Sequence, residues 1–240
     1  MIAMQSSITT SAHPRGLPPA RLKDQYWLKK LKWHLYKKHF GSPDWVTRYV
    51  FDGLVRNLTA NDVVIDCGAN LGVFTRHLAA GGAEVHAFEP DPYTFSRLQE
   101  NTREFANVHC YNQAVGVGAG RVKLFRTPNF AANPDAASIS SSLCAEKLNV
   151  DTSNFVEVEQ IDFVEFLRSL RKPVRLLKMD IEGAEVSLLE HMLSTGAVNL
   201  CEQVFVETHE DRIPNLAERT KHIRFHAAEK FPHKLHLDWH

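Results

Sequence analysis

A short apolar run that ends in a glycine-containing bend is the feature that most constrains the fold of this chain. Residues 62–67, DVVIDC, are mostly β-branched or apolar, and the sequence GANLG follows them before a helical segment at 73–80. Such a run predicts a buried parallel strand. Ligands of open α/β sheets bind beyond the carboxyl ends of strands, so the bend is the first candidate for a binding site.

The same alternation of strand and helix continues to the end of the chain. Apolar runs predict further strands at 83–89, 108–115, 173–180, 203–207 and 234–239, with extended segments at 121–126 and 155–159. Helical periodicity follows Asp91-Pro92, surrounds Phe163, and covers 183–193 and 215–229. Strands separated by helices predict an α/β fold with a doubly wound, mostly parallel, Rossmann-like sheet.

The N-terminal region differs from this pattern. Residues 1–20 are rich in Ser, Thr, Pro and Ala, which predicts disorder. Residues 21–40 interleave aromatic and aliphatic residues with lysines, as in a basic amphipathic helix, and Ser42-Pro43 is typical of the start of another helix. We therefore expect a helical N-terminal extension at 21–58 and a ligand-binding domain at 59–240.

The overall charge restricts the choice of partners and compartment. The chain has 28 basic and 28 acidic residues, so no net charge attracts it to nucleic acid or to a membrane surface. No apolar run is as long as a transmembrane helix. The four cysteines are far apart and show no metal-binding spacing, which predicts reduced thiols and a cytoplasmic location.

The bend at Asp66, Gly68, Asn70 and Gly72 indicates which ligand is bound. A dinucleotide site needs the spacing G-x-G-x-x-G, whereas Asn70 replaces the second glycine and Gly72 comes one residue too early. Asp66 also places a carboxylate where a diphosphate would approach, and a carboxylate suits an ammonium group. These residues favour S-adenosylmethionine (SAM) over NAD. Glu89, at the end of the next strand, can accept hydrogen bonds from ribose hydroxyls in either case.

Two charged groups follow the later strands and should meet at the same edge. Lys178, Asp180 and Glu182 lie at or just after the end of the strand at 173–180, and Glu207 and His209 lie at or just after the end of the strand at 203–207. Because unpaired buried charges are costly, we expect these residues to face a polar cleft. The alternatives are that the charged residues form ion pairs that only stabilise the fold, for instance Lys178 with an acid, and that His209 has no functional role.

Five segments together resemble the FkbM family of SAM-dependent methyltransferases: VIDCGANLGVFT, HAFEPDP, NQAVG, LLKMDIEGAE and VFVETHE. The resemblance implies a class I methyltransferase fold and methylation of a hydroxyl oxygen. It implies that the bend holds the amino acid end of SAM, that Glu89 holds the ribose, and that Asn112, Gln113 and Ala114 border the adenine. It also implies that Lys178, Asp180 and Glu182 line the reaction cleft opposite Glu207 and His209.

The sequence leaves several alternatives open. Asp180 or His209 could act as general base, or Asp180 and Glu207 could hold a divalent cation; the metal-free route is slightly favoured. An NAD-dependent oxidoreductase and a non-catalytic SAM-binding protein are the competing functions. Few residues follow the fifth strand, so the sheet edge should be short or differently built. We expect the acceptor to be a small molecule or glycan. The segment 127–154 and the basic N-terminal helix are the elements expected to determine which acceptor is bound.

Overall fold

The computed structural model describes residues 44–239, so the predicted disorder at 1–20, the basic helix at 21–40 and the start at Ser42-Pro43 lie outside the described residues. The described chain begins with a helix, α1 (Asp44–Arg56). Phe51 of α1 is buried and packs edge-on against Phe74 and Phe205, with Trp239 at the same centre. This helix therefore contributes to the core of the unit that it begins.

The remaining helices and strands alternate as the sequence predicts. They are β1 (Val63–Cys67), α2 (Val73–Ala79), β2 (Glu84–Phe88), α3 (Pro92–Thr102), β3 (Val108–Tyr111), β4 (Ala114–Gly116), β5 (Gly120–Arg126), α4 (Pro134–Ala137), β6 (Asp151–Asp162), α5 (Phe163–Ser169), β7 (Val174–Met179), α6 (Glu185–Ser194), β8 (Cys201–Val206), α7 (Ala217–Lys230) and β9 (Leu235–His236).

Six strands form the main sheet in the order β3-β2-β1-β7-β8-β9, and each neighbouring pair is parallel. This confirms the α/β, Rossmann-like fold class. The register pairs Asp66 of β1 with Lys178 of β7, so their side chains can meet. The edge strand β9 has two residues and runs parallel to β8, which confirms that the sheet ends in a short and differently built edge.

The prediction of one continuous strand at 108–115 was wrong, because the strand is interrupted between β3 and β4. The side-chain amide of Asn112 donates hydrogen bonds to the carbonyl oxygens of Glu89 and Pro90, 2.9 Å each. Asn112 thus turns the chain out of the main sheet. It continues into a second sheet of order β4-β6-β5, in which β6 is parallel to β4 and antiparallel to β5.

The main core lies against the faces of the six-stranded sheet. The strands β1, β7 and β8 are buried along most of their length, as expected for parallel strands covered by helices on both sides. Within residues 44–239, no helix is both long enough and apolar enough to cross a membrane. The four cysteines carry free thiols.

A candidate ligand site at the carboxyl edge of the sheet

The bend after β1 has a backbone that only particular residues allow. Gly68, Asn70 and Gly72 all have positive φ, of 75°, 51° and 81°. A Cβ on Gly68 would lie 1.8 Å from the carbonyl oxygen of Asp180, so the bend packs directly on the residue that follows β7. Glycine at this position therefore brings the predicted cofactor loop and the predicted reaction residue together.

The backbone N–H groups of this bend are all used inside the protein. Those of Gly68 and Ala69 donate to the carbonyl oxygen of Phe88, and that of Gly72 donates to Ala69. The N–H of Asn70 donates to Glu89 Oε2 at 2.9 Å, and that of Leu71 donates to Asn70 Oδ1 at 2.7 Å. A phosphate at a helix N-terminus needs such N–H donors, so the bend is poor at binding a diphosphate.

Glu89 provides acceptors at the edge of the same bend. It is 7% exposed, and its two oxygens each accept one N–H, from Asn70 and from Asp91. Burial raises the pKa of Glu89 to about 8, although these two hydrogen bonds oppose the shift. A carboxylate oxygen can accept two hydrogen bonds, so each oxygen keeps a lone pair for a further donor. Two neighbouring hydroxyl groups, as in a ribose, match this need.

The structure places Asp66 and Lys178 side by side beneath the bend. Asp66 is fully buried; its Oδ2 accepts from the Thr75 hydroxyl at 2.7 Å, and its Oδ1 lies 3.0 Å from Lys178 Nζ. Lys178 also donates to the carbonyl oxygen of Gly68 at 2.9 Å. The pair therefore supports the bend from below, and the contact of Asp66 with the amino acid end of SAM stays a prediction.

The three residues predicted to border the adenine belong to different parts of the structure. Asn112 and Gln113 are half-buried in the connection between β3 and β4, near the backbone of Glu89. Ala114 lies in β4, and its side chain packs with Leu124 and Val158 in the small core of the second sheet. The side chain of Ala114 therefore packs in the core of the second sheet. The prediction of a single strand at 108–115 did not indicate this placement.

Acidic residues from β7 and β8 surround His209, as their strand-end positions predict. The Nε2 atom of His209 lies 3.2 Å from Glu182 Oε2, 3.7 Å from Asp180 Oδ1 and 4.0 Å from Glu207 Oε1. Its Nδ1 atom lies 3.1 Å from Glu185 Oε1. Four of the five predicted reaction residues thus meet in one cluster, and the fifth, Lys178, lies 3.9 Å from Asp180 Oδ2.

The charges in this acid cluster determine which residue can act as a base. Burial alone would lower the pKa of His209, but the hydrogen bond to Glu185 and the charges of Glu182 and Asp180 raise it to about 9. Burial, together with the charge of Glu207, raises the pKa of Asp180 to about 7. At neutral pH His209 is therefore mostly protonated and a poor proton acceptor, whereas Asp180 is divided between its protonated and ionised forms.

Three contributors to the cluster were not among the predicted site residues. Glu185 is fully buried, and it accepts the N–H of Gly183 at 2.7 Å as well as contacting His209. Lys147 Nζ donates to Glu182 Oε2 at 2.5 Å, and Arg212 lies 3.6 Å from the same oxygen. Of the three, only Glu185 could have been found from the sequence, because it belongs to the charged run after β7.

The grouping best suited to a metal ion differs from the predicted pair of Asp180 and Glu207. Among the described residues, one carboxylate oxygen each from Asp180 and Glu182 and one nitrogen of His209 lie within 4.8 Å of one another. Carboxylate and imidazole groups are ordinary metal ligands. The ammonium of Lys147 and the protonated His209 nevertheless put positive charge where an ion would sit.

The connection between β5 and β6, residues 127–150, touches both parts of the site. The Ser138 hydroxyl donates to Asn70 Oδ1 at 3.1 Å, and the Ser142 hydroxyl donates to the carbonyl oxygen of Glu182 at 2.5 Å. Long ordered connections of this kind are often functional. The contacts join the bend after β1 to the acid cluster through a segment that the parallel sheet does not require.

Comparison with known proteins links this site to a family. The model of the methyltransferase FkbM domain matches residues 66–229, which include all the predicted site residues. The hexuronic acid methyltransferase AglP of Haloferax volcanii is 29% identical over 157 residues, covering 65% of this chain and 59% of that protein. The 31-O-demethyl-FK506 methyltransferase FkbM of Streptomyces tacrolimicus is 29% identical over 155 residues, covering 55% and 60%.

A solved methyltransferase FkbM from Methylobacillus flagellatus aligns with a TM-score of 0.44 at 18% identity, covering 70% of this chain and 38% of that one. The chain spans about three fifths of the length of these two curated relatives.

Proposed function

The chain belongs to the FkbM methyltransferase family, and from this premise we propose that it is a SAM-dependent O-methyltransferase. The acceptor that we propose is a hydroxyl group of a small molecule or glycan. The names of two relatives support this class, since one acts on a hexuronic acid and the other on 31-O-demethyl-FK506. The balanced charge of the chain supports an enzyme without a nucleic-acid partner, and the scattered cysteines support a cytoplasmic location.

The observation that carries this proposal is the balance of donors and acceptors at the bend after β1. Its five consecutive N–H groups, from Gly68 to Gly72, are bonded within the protein, and the carboxylate of Glu89 stands beside them. An NAD diphosphate needs free N–H donors at such a bend, whereas SAM carries an ammonium, a sulfonium and two ribose hydroxyls, and no phosphate. The bend therefore fits SAM better than NAD.

The residues present fit SAM along the carboxyl edge of the sheet. Glu89 would accept hydrogen bonds from the ribose hydroxyls, and Asn112 and Gln113 would border the adenine. Gly68, Asn70 and Gly72 give the bend a backbone shape that accommodates the amino acid end. When bound there, SAM supplies a methyl group on a positively charged sulfur that leaves as a neutral thioether.

We assign the proton transfer to Asp180. A hydroxyl is a weak nucleophile and must lose its proton as its oxygen bonds to the methyl carbon. The carboxylate of Asp180 would take this proton while the acceptor oxygen receives the methyl group that bound SAM supplies. A general base works best when its pKa is close to the working pH, and burial brings the pKa of Asp180 to about 7. Protonated His209 orients and partly neutralises this carboxylate.

Calorimetry with SAM, its demethylated product and NAD tests the cofactor assignment. We expect SAM and its product to bind and NAD not to bind. At pH 9, where Glu89 is ionised, Glu89→Gln removes charge-assisted hydrogen bonds of about 1.5–3 kcal/mol in total, so the dissociation constant for SAM should rise about 10- to 100-fold. Glu84→Gln, at the opposite end of the same strand, is the matched control and should bind SAM normally. Tight NAD binding with no SAM binding would reverse the assignment.

Transfer of a labelled methyl group tests the chemistry. Hydroxyl-bearing acceptors, including uronic acid glycans and macrocyclic alcohols, are screened for a product with a methyl ether. With an accepted substrate, Asp180→Asn should lower kcat about 100-fold or more, which is the usual contribution of a general base. Asp211→Asn, an exposed acid in the segment that follows β8, is the control. Methylation at nitrogen, or full turnover by Asp180→Asn, would contradict the proposed reaction.

A further inference from the structure

A buried lysine from the β5–β6 connection lies against the acid cluster. The side chain of Lys147 is fully buried, and its ammonium donates to Glu182 Oε2 at 2.5 Å and to the carbonyl oxygen of Ser140 at 2.9 Å. A buried ammonium is costly unless it is paired and hydrogen-bonded. The pairing with Glu182 therefore explains why this lysine is drawn out of solvent.

Further bonds hold Lys147 and Glu182 in place. The Ser142 hydroxyl donates to the carbonyl oxygen of Glu182 at 2.5 Å, and the N–H of Leu148 donates to the carbonyl oxygen of Arg212 at 3.2 Å. Glu182 itself has a positive φ of 56°, which a non-glycine residue adopts at a cost. The connection thus fixes both the backbone and the carboxylate of Glu182.

Without its lysine, the cluster would have the form of a divalent metal site. Asp180, Glu182 and His209 offer ligand atoms within 4.8 Å of one another. His209 is 1% exposed, and its Nε2 atom, 3.2 Å from Glu182 Oε2, is not aligned with any hydrogen-bond partner in the described part of the chain. Its Nδ1 atom contacts the buried carboxylate of Glu185, an arrangement that commonly orients metal-binding histidines.

We propose that Lys147 is a positioning residue that supplies the acid cluster with a cation of its own, in place of a divalent metal ion. The ammonium neutralises the oxygen of Glu182 that an ion would share and keeps Glu182 beside His209. Positive charge so close to that oxygen repels a divalent cation. Deprotonation of the acceptor at Asp180, which rests on the proposed function, then takes place without a metal.

Binding of Mn²⁺, measured by electron paramagnetic resonance and calorimetry, tests this inference without any methyl acceptor. The wild-type protein should bind no Mn²⁺ at millimolar concentration. Lys147→Met removes the ammonium while keeping an unbranched side chain, and it should bind Mn²⁺ with a dissociation constant at least tenfold below the highest concentration at which the wild type shows no binding. Lys147→Arg restores a cation and should behave as the wild type does. Lys123→Met, on the exposed surface of β5, is the control for loss of a positive charge.

Each outcome either supports or overturns the proposal. Mn²⁺ binding by the wild type that His209→Ala abolishes would show a resident metal site and overturn it. A folded Lys147→Met protein that binds no Mn²⁺ would also overturn it. If Lys147→Met shows no cooperative thermal transition, Lys147→Gln, which can still donate to Ser140, takes its place. Failure of the proposed function is seen separately, as an absence of SAM binding by the wild type.

Discussion

The buried pair of Asp66 and Lys178 offers a quantitative test of how the bend after β1 is held. We expect Lys178→Met to destabilise the protein strongly, because it leaves the carboxylate of Asp66 buried without its cation. Asp66 is fully buried and Lys178 is 2% exposed. Burial alone would lower the pKa of Lys178, but the charges of Asp66 and Asp180 outweigh it, and the pKa is raised.

The size of the effect follows from the burial of the pair. Removing one partner of a buried ion pair costs about 3–5 kcal/mol. In a chain of this size that corresponds to a fall in melting temperature of about 6–20 °C. Because the pKa of Lys178 is raised on folding, this stabilisation is complete below the pKa of an unfolded lysine and is lost only at higher pH. Measurements at pH 7 therefore record the full effect.

A double-mutant cycle separates the charge effect from the loss of side-chain packing. Asp66→Asn combined with Lys178→Met removes both charges of this pair, and an asparagine oxygen can still accept from Thr75. The double variant loses mainly the hydrogen bond to Gly68, so it should cost about 1.5–3 kcal/mol, far less than the two single changes together. Urea unfolding measures all three, with the exposed Lys221→Met as a control within about 0.5 kcal/mol. Additive losses, or a cost below about 1 kcal/mol for Lys178→Met, would refute the reasoning.

Further predictions concern the bend and the pH dependence. Gly68→Ala places a Cβ 1.8 Å from the carbonyl oxygen of Asp180 at a φ of 75°, so its melting temperature should fall by more than about 5 °C, whereas Gly118→Ala, with open space around it, should change little. The free energy of unfolding should fall as pH rises from 6 to 9, because Glu89 and His209, with pKa values near 8 and 9, bind protons more tightly in the folded state; a rising or flat profile would contradict this. SAM affinity should increase as pH rises through about 8, as Glu89 ionises to accept the ribose hydroxyls, and calorimetry of Glu89→Gln should show no such increase.

The main sheet could be predicted because its strands carry their own signal. The runs that became β1, β7 and β8 are apolar on both faces, a pattern that few other structures explain, and their bounds shifted by only a few residues. Parallel strands bring their carboxyl ends to one edge, so the meeting of Asp180 with His209 followed from strand order alone. Residues far apart in sequence were thus placed together without any knowledge of side-chain packing.

The second sheet and the contribution of Lys147 could not be predicted in this way. Strand β6 alternates exposed and half-buried residues and depends on pairing with β5, so its own sequence indicated only a short extended segment at 155–159. Lys147 lies in an irregular connection, and its partner Glu182 is 35 residues further along the chain. The burial of a lysine is decided by such a partner, because on its own this residue type favours solvent.

The strand order itself does not identify the ligand. The order β3-β2-β1-β7-β8-β9 places β1 at the centre of six parallel strands, beside β7, the fourth strand of this sheet along the chain. Dinucleotide-binding domains have the same arrangement, and in them the bend after the first strand holds a diphosphate. The topology therefore gives the location of the site, and the side chains decide the ligand class. Asn70 has a positive φ, and its N–H donates to Glu89 inside the protein instead of facing a ligand. The carboxylate of Glu89 thus lies at the bend where a phosphate would otherwise be bound. The bonded N–H groups of the bend and the early position of Gly72, rather than the strand order, therefore argue for a ligand without a diphosphate.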